Sequence, residues 1–370
     1  MEIKIARNDL LKKLQLAQSV VERKTTMPIL ANVLLSAENK KLSIAATDLE
    51  VGITSSVDAE VLNPGKVTTD ARGLHDIIKE LPHETVHLKV RENNWLDVSC
   101  GRCEFKVLGL GADDFPALPK KGKGNAYQFA CESFSQMIEK TSFAMSTDEA
   151  RYNLNGVLLE QEKSSKNTQL RMVATDGHRL SIIDRDVKGK FELAKPVIIP
   201  RKGVIELKRL VENHQGSFEL WLDEKHAIAS CDEINLFIRL IDGSFPPYKQ
   251  VVPKESKRIV SVERKAISSA LKRVSAMADE RSRGVRLKVS PKHLEVSSSN
   301  PNLGEAREEL SADYRGASFE IGFNARYFID ALNSVKDEQA ILELGDDTAP
   351  CVLRSEFDSG FTHVIMPMRL

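Results

Sequence analysis

Two local patterns have residue types that could do chemistry. The first is Asp176 and His178 in the segment ATDGHRL, an acid and an imidazole one residue apart, the pairing that builds general bases. The second is Cys100-x-x-Cys103, whose spacing suits a metal knuckle or a redox pair. Neither has its partners. No serine or cysteine nucleophile elbow and no cluster of ligands accompanies Asp176 and His178, so the segment reads as a turn between two strands. No second cysteine pair or histidine pair follows Cys103 at zinc-finger spacing, and the alternation in LDVSCGRCEFKVL reads as a hairpin with a cysteine on each strand. The remaining cysteines, Cys131, Cys231 and Cys351, stand apart in the chain. The residues therefore predict no catalytic centre, no metal and no cofactor.

The elements that would hold these segments repeat. Amphipathic helices are predicted at Asn8 to Glu22, Ser133 to Met145 and Arg264 to Ala278. Leu10, Leu14 and Ala17 in the first, and Ile267, Leu271 and Val274 in the third, share one face. Each is followed by two strands and a turn: ILANVLLSAENKKLSIAATDLE, LNGVLLEQEKSSKNTQLRMVATDGH and GVRLKVSPKHLEVSSSNPN. The turns begin at Thr47, Thr175 and Ser299, and second helices begin near Arg72, Arg201 and Arg326, all at one spacing of about 125 residues. The strands VHLKV, FELWL and AILEL come next, and DDFPAL and DGSFPPY close the first two units, because proline ends a strand. PKKGKGNAY and PPYKQVVPKESKR lack apolar periodicity and read as linkers. The expected organisation is three α+β domains, 1–122, 126–250 and 254–370, each with two helices laid on sheet.

A chain of 370 residues needs more than one core, and 41% apolar with 29% charged residues excludes wholesale disorder. The 53 basic and 53 acidic residues cancel, which argues against a strongly basic nucleic-acid coat. The predicted helices nevertheless hold a small excess of positive charge. Two readings are open: a helix-lined surface facing phosphates, or ordinary solvated faces. No helix-turn-helix, zinc finger or aromatic RNA-binding signature appears, so no sequence readout is expected. MEIKIARNDLLKKL has no apolar core of a secretory signal, no run approaches bilayer length, and the unpaired cysteines suit a reducing cytoplasm.

TMPILANVLL, RYNLNGVLLE, VATDGHRLS, IIPRKGVIEL, RGVRLKV, EIGFNARYF and the terminal VIMPMRL resemble the beta sliding clamp family, the beta subunit of bacterial DNA polymerase III, in order along the whole chain. The resemblance implies a DNA clamp fold of three similar two-helix/two-sheet domains. It also implies a head-to-tail homodimer forming a six-domain ring around duplex DNA, without catalysis. Lys24, Arg72, Tyr152, Arg201 and Lys202 would face DNA, although Asn153 stands where some relatives have a second aromatic. A pocket for a short peptide motif is implied at Leu154, Thr175, Gly177, His178, Arg179, Leu180, Pro246 and Val251. It would be completed by Asn324, Tyr327, Val364, Met366, Pro367, Met368 and Arg369. Its implied partners are the replicative polymerase alpha subunit, the clamp loader delta subunit and other clamp-motif proteins. Gln250 replaces a common arginine there, and Ser282 a phenylalanine. At the dimer joint, Phe105 and Val107 would meet Ala276 and Met277, and Arg102 would face Glu305, Glu308 and Glu309. Glu104 stands where some relatives have arginine, and on its residues alone GEAREEL reads first as a solvated acidic stretch.

A nuclease or glycosylase would need clustered carboxylates or a base-flipping pocket, and neither is apparent. A peptide-binding scaffold that never encircles DNA is the other alternative.

Overall fold

The computed structural model describes residues 1–22, 26–82, 84–120, 125–163, 168–187, 191–253 and 256–370. Six α-helices are present among them: α1 (Arg7–Val20), α2 (Ala71–Glu80), α3 (Cys131–Thr141), α4 (Arg201–Glu212), α5 (Arg264–Val274) and α6 (Ala325–Ser334). Their buried stripes follow the helical period, as with Leu10, Leu14 and Ala17 of α1 and Ile267, Leu271 and Val274 of α5. Asp70 caps α2 by accepting from Gly73 N (2.5 Å), and Asn324 caps α6 by accepting from Arg326 N (2.9 Å). Helices α3 and α5 end earlier than the apolar pattern predicts. Phe143 and Met277 continue that pattern, but in 3-10 turns at Ser142–Ala144 and Ser275–Met277.

The chain forms two compact units, 1–134 with 202–240, and 135–201 with 241–370. The first holds a five-stranded sheet that starts at Glu60–Asn63, passes through Glu2–Ala6, Thr85–Val90 and Leu96–Cys100, and ends at Cys103–Val107. It also holds a nine-stranded sheet in which Val51–Asp58 pairs antiparallel with Ile234–Arg239, Ile53 opposite Leu236. The second unit holds one twelve-stranded sheet, in which Arg179–Asp186 pairs antiparallel with Phe361–Ile365, Leu180 opposite Val364. The 125-residue period survives in the element order, but its middle copy is shared. Hairpin 217–239 packs with the first copy, and strands 156–186 pack with the third. A strand also precedes the first helix of every copy: Glu2–Ala6, Asn125–Ala130 and Arg258–Glu263.

The first two of the three expected turns repeat in atomic detail, whereas Ser299 lies inside strand His293–Asn300 and its turn follows at 301–303. Thr47 Oγ1 donates to Val51 O (3.0 Å) while Asp48 Oδ1 accepts from Glu50 N and Val51 N. Thr175 Oγ1 donates to Arg179 O (2.6 Å) while Asp176 Oδ1 accepts from His178 N and Arg179 N. The third residue of each turn is left-handed, Leu49 at φ 77° and Gly177 at φ 89°. Cys100 and Cys103 lie opposite one another across a two-residue turn, as the alternation predicts. Among the described residues no helix is long and apolar enough to cross a membrane.

Candidate functional site

The Thr175–Arg179 turn sets one wall of a cavity of about 290 Å³ in the second unit. Its floor is the upper surface of a core cluster comprising Leu158, Val173, Leu180, Ile182, Ile198, Tyr248, Val352 and Val364. Leu154 and Gly177 stand at its rim, and Pro246, Pro247, Tyr248, Gln250 and Val251 come from the segment around the 3-10 turn Tyr248–Gln250. Met366, just past the last strand, closes one side, its N–H donating to His178 O (2.9 Å). Leu, Val, Pro and Met make an apolar floor that adapts to varied side chains.

One cation organises the site. Arg179 is buried, and its Nε donates to Asp176 Oδ2 (3.0 Å), its Nη1 to Asp330 Oδ2 of α6 (2.6 Å) and its Nη2 to Phe143 O (2.6 Å). The Tyr327 ring lies 4.7 Å from the guanidinium carbon and stacks on His178 at 6.4 Å. Asp176 therefore serves two backbone N–H groups and an arginine, and it does not activate the histidine. At the floor, Tyr248 donates its hydroxyl to Glu160, and Arg171 spans Asp184 and Tyr248. Burial, then the hydrogen bond with Glu160, holds the Tyr248 hydroxyl well above its ordinary range, so it stays a neutral donor.

Of the expected pocket residues, Leu154, Thr175, Gly177, Arg179, Leu180, Pro246, Val251, Val364 and Met366 line this cavity. His178 and Tyr327 stand beside it as the stacked pair. Asn324 caps α6 and donates to Ser282 O (3.0 Å). The tail Pro367, Met368 and Arg369 runs on past the cavity, with Met368 N bonded to Gly322 O (2.8 Å). Pro247 and Tyr248 were not singled out from sequence; an aromatic directly after a Pro-Pro turn was the available signal.

The residues expected to face DNA have varied surroundings. Lys24 lies outside the described residues. Tyr152 is 57% exposed. Arg72 Nε is buried with no hydrogen-bond partner among the described residues. Arg201 Nη2 donates to Met145 O (2.9 Å) and Ser146 O (2.8 Å), and burial, then the charge of Arg179, lowers its pKa. Lys202 pairs with Asp48 and, at 3.6 Å, with Glu22. Arg201 and Lys202 are thus half-buried anchors, whereas Lys12, Lys79, Lys265 and Lys272 are exposed on the helices.

The expected joint residues lie on two sheet margins. Strand Cys103–Val107, carrying Phe105 and Val107, ends the five-stranded sheet, and Phe105 is 39% exposed. Strand Gly304–Asp313 pairs along one side with His293–Asn300, but on the other only through Ala312 and Asp313, so Glu305, Glu308 and Glu309 sit on a largely open edge. Beside it Ala276 and Met277 are exposed. Arg273 holds Glu308 at 2.5 Å, Arg307 holds Glu309, and Arg102 is exposed in its turn.

Three family models match consecutive stretches: DNA polymerase III beta subunit N-terminal domain at 1–119, central domain at 128–247 and C-terminal domain at 249–369. The chain is 40% identical over 372 residues to a beta sliding clamp of Pseudomonas putida and 34% identical over 371 to that of Escherichia coli. Each match spans 100% of both chains. Among solved structures, Caulobacter crescentus pol III beta superimposes with a TM-score of 0.96 at 36% identity. A sliding clamp from Bartonella birtlesii bound to griselimycin does so with 0.96 at 34%, both over 100% of each chain.

Proposed function

The chain belongs to the DNA polymerase III beta subunit family, the sliding clamps, and we propose that two copies close head to tail around duplex DNA without sequence preference. The family is a processivity factor with no catalytic activity of its own. In this reading the domains are 1–122, 126–250 and 254–370, and the protein works in the cytoplasm. Retention comes from topology. The lining needs only weak, sequence-independent attraction, supplied by exposed helix cations such as Lys12, Lys79, Lys265 and Lys272 together with Lys24, Arg72 and Tyr152. The open edges at Cys103–Val107 and Gly304–Asp313 would pair between copies, continuing the sheets across both joints.

The cavity beside Thr175–Arg179 is the tethering site for a short peptide from the replicative polymerase alpha subunit, the clamp loader delta subunit and other clamp-motif proteins. The observation that carries this is an apolar cavity of about 290 Å³ whose walls are fixed by the buried Arg179 network. Two or three apolar anchors, each worth about 1.5–3 kcal/mol, give about 3–9 kcal/mol before ordering costs, so the net affinity is no tighter than micromolar. Partners exchange at that strength. The test is fluorescence anisotropy with a labelled peptide from the polymerase tail. Met366→Asp and Val251→Asp should each weaken binding at least about tenfold, a loss of about 1.4 kcal/mol, with unchanged melting. Undiminished binding to both variants would place the peptide elsewhere.

A further inference from the structure

A second cluster of side chains, in the first unit, lies outside the residues assigned above to DNA and peptide binding. The turn between strands His226–Cys231 and Ile234–Arg239 presents Cys231 and Asp232, the latter in the left-handed region at φ 49°. Against it lies His214, just beyond the end of α4. Its Nδ1 is 2.6 Å from Leu210 O. A carbonyl only accepts, so Nδ1 carries the proton and Nε2 keeps its lone pair. Nε2 faces Asp232 Oδ2 at 3.7 Å, and a His214 ring nitrogen, Cys231 Sγ and an Asp232 carboxylate oxygen all lie within 4.8 Å of one another. Cys131 N, at the start of α3, donates to Gly216 O (2.9 Å), tying that helix to the loop after His214.

We propose that Cys231 Sγ, His214 Nε2 and an Asp232 oxygen form a three-residue site for one thiophilic divalent cation of the Zn²⁺ class, with water completing the tetrahedron. A thiolate, an imidazole and a carboxylate are a borderline-soft donor set that disfavours Mg²⁺ and Ca²⁺. Zinc takes sulfur at about 2.3 Å and nitrogen or oxygen at about 2.0–2.2 Å, so the side chains close in by about 1 Å on binding. The bond from Nδ1 to the Leu210 carbonyl is the outer-shell support that ligating histidines require. Cys231 is buried while the Asp232 side chain is 81% exposed, so the cation enters past the carboxylate. A coordinated cation would deprotonate Cys231 and pin the end of α4 to the hairpin.

The experiment is a Co²⁺ titration of the reduced full-length protein. One equivalent should bind, giving a sulfur-to-cobalt charge-transfer band and the strong visible bands of tetrahedral cobalt, both bleached by Zn²⁺. Zn²⁺ should also raise the melting temperature. His214→Gln and Asp232→Asn, at the accessible side, should weaken Co²⁺ binding at least about tenfold while circular dichroism stays native. Cys231→Ser should remove most of the charge-transfer intensity. The proposal is overturned if no such band forms at several-fold excess Co²⁺. A band unchanged in both His214→Gln and Cys231→Ser, or one lost in Cys103→Ser, would overturn it equally.

Discussion

At the scale of single residues, the sequence draws attention to His178, and the structure moves the unusual chemistry to His363. This histidine is fully buried, neither ring nitrogen has a hydrogen-bond partner among the described residues, and its ring lies 5.3 Å from Phe143. Burial first, then the charge of Arg179, pushes its pKa down to about 3 from an ordinary 6.5. The unfolded chain therefore takes up a proton below 6.5 that the folded chain refuses. The stability this contributes is full above 6.5 and declines as the pH falls toward 3. Between pH 6.5 and pH 5 the decline is about 2 kcal/mol. Urea unfolding of His363→Leu at pH 7 and pH 5 should show about 2 kcal/mol less acid loss than the parent. Equal losses would mean that another group controls the acid limb. No pattern in FTHVI distinguishes this histidine from a surface one, because its burial comes from strand pairing with Arg179–Asp186. The pocket residues were more legible: ATDGHRL and the terminal VIMPMRL match the family closely, and both supply walls of the cavity.

At the scale of elements, amphipathic periodicity located the first helix of each repeat and the common spacing located the second. The strands before the first helices were not legible. EIKIA and RIVSVE are six residues or fewer, and each runs directly into its helix with no turn residue to mark the boundary. Nor could sequence show how the tail is held. A Cβ on Gly322 would lie 2.5 Å from Met368 O and 2.8 Å from the Leu370 side chain, so this strand is bare because the tail crosses it there. Gly322→Ala should displace the tail, break the bond from Met368 N, destabilise the chain by about 1–3 kcal/mol and weaken the peptide several-fold. A variant with parental stability and affinity would show that the tail is not fixed by this contact. The same logic applies to the open edges. Exposed apolar residues beside an unpaired strand are an invitation to a second chain, and Met277, 37% exposed, stands next to one. Met277→Asp should turn a dimer into a monomer in sedimentation velocity, and a wholly dimeric variant would move the joint elsewhere.

At the scale of the whole molecule, the repeat was legible as order and spacing, because three turns and three second helices recur at one interval. The sharing of its middle copy was not. It depends on two long-range pairings, Val51–Asp58 with Ile234–Arg239 and Arg179–Asp186 with Phe361–Ile365, and no local signal encodes such partners. Pairing of this kind lets tandem α+β units share continuous sheets rather than hang from flexible linkers. A protein that retains DNA by enclosure needs such connections, because every joint must bear the closure without tight phosphate contacts. The measurement that tests this most directly is retention on DNA after loading by a clamp loader, with nicked circular and linear duplexes compared in high salt. Enclosure predicts a long-lived complex on the circle and rapid loss from the linear duplex, restored when its ends are blocked. Equal release from both would contradict it and leave a surface that only touches DNA.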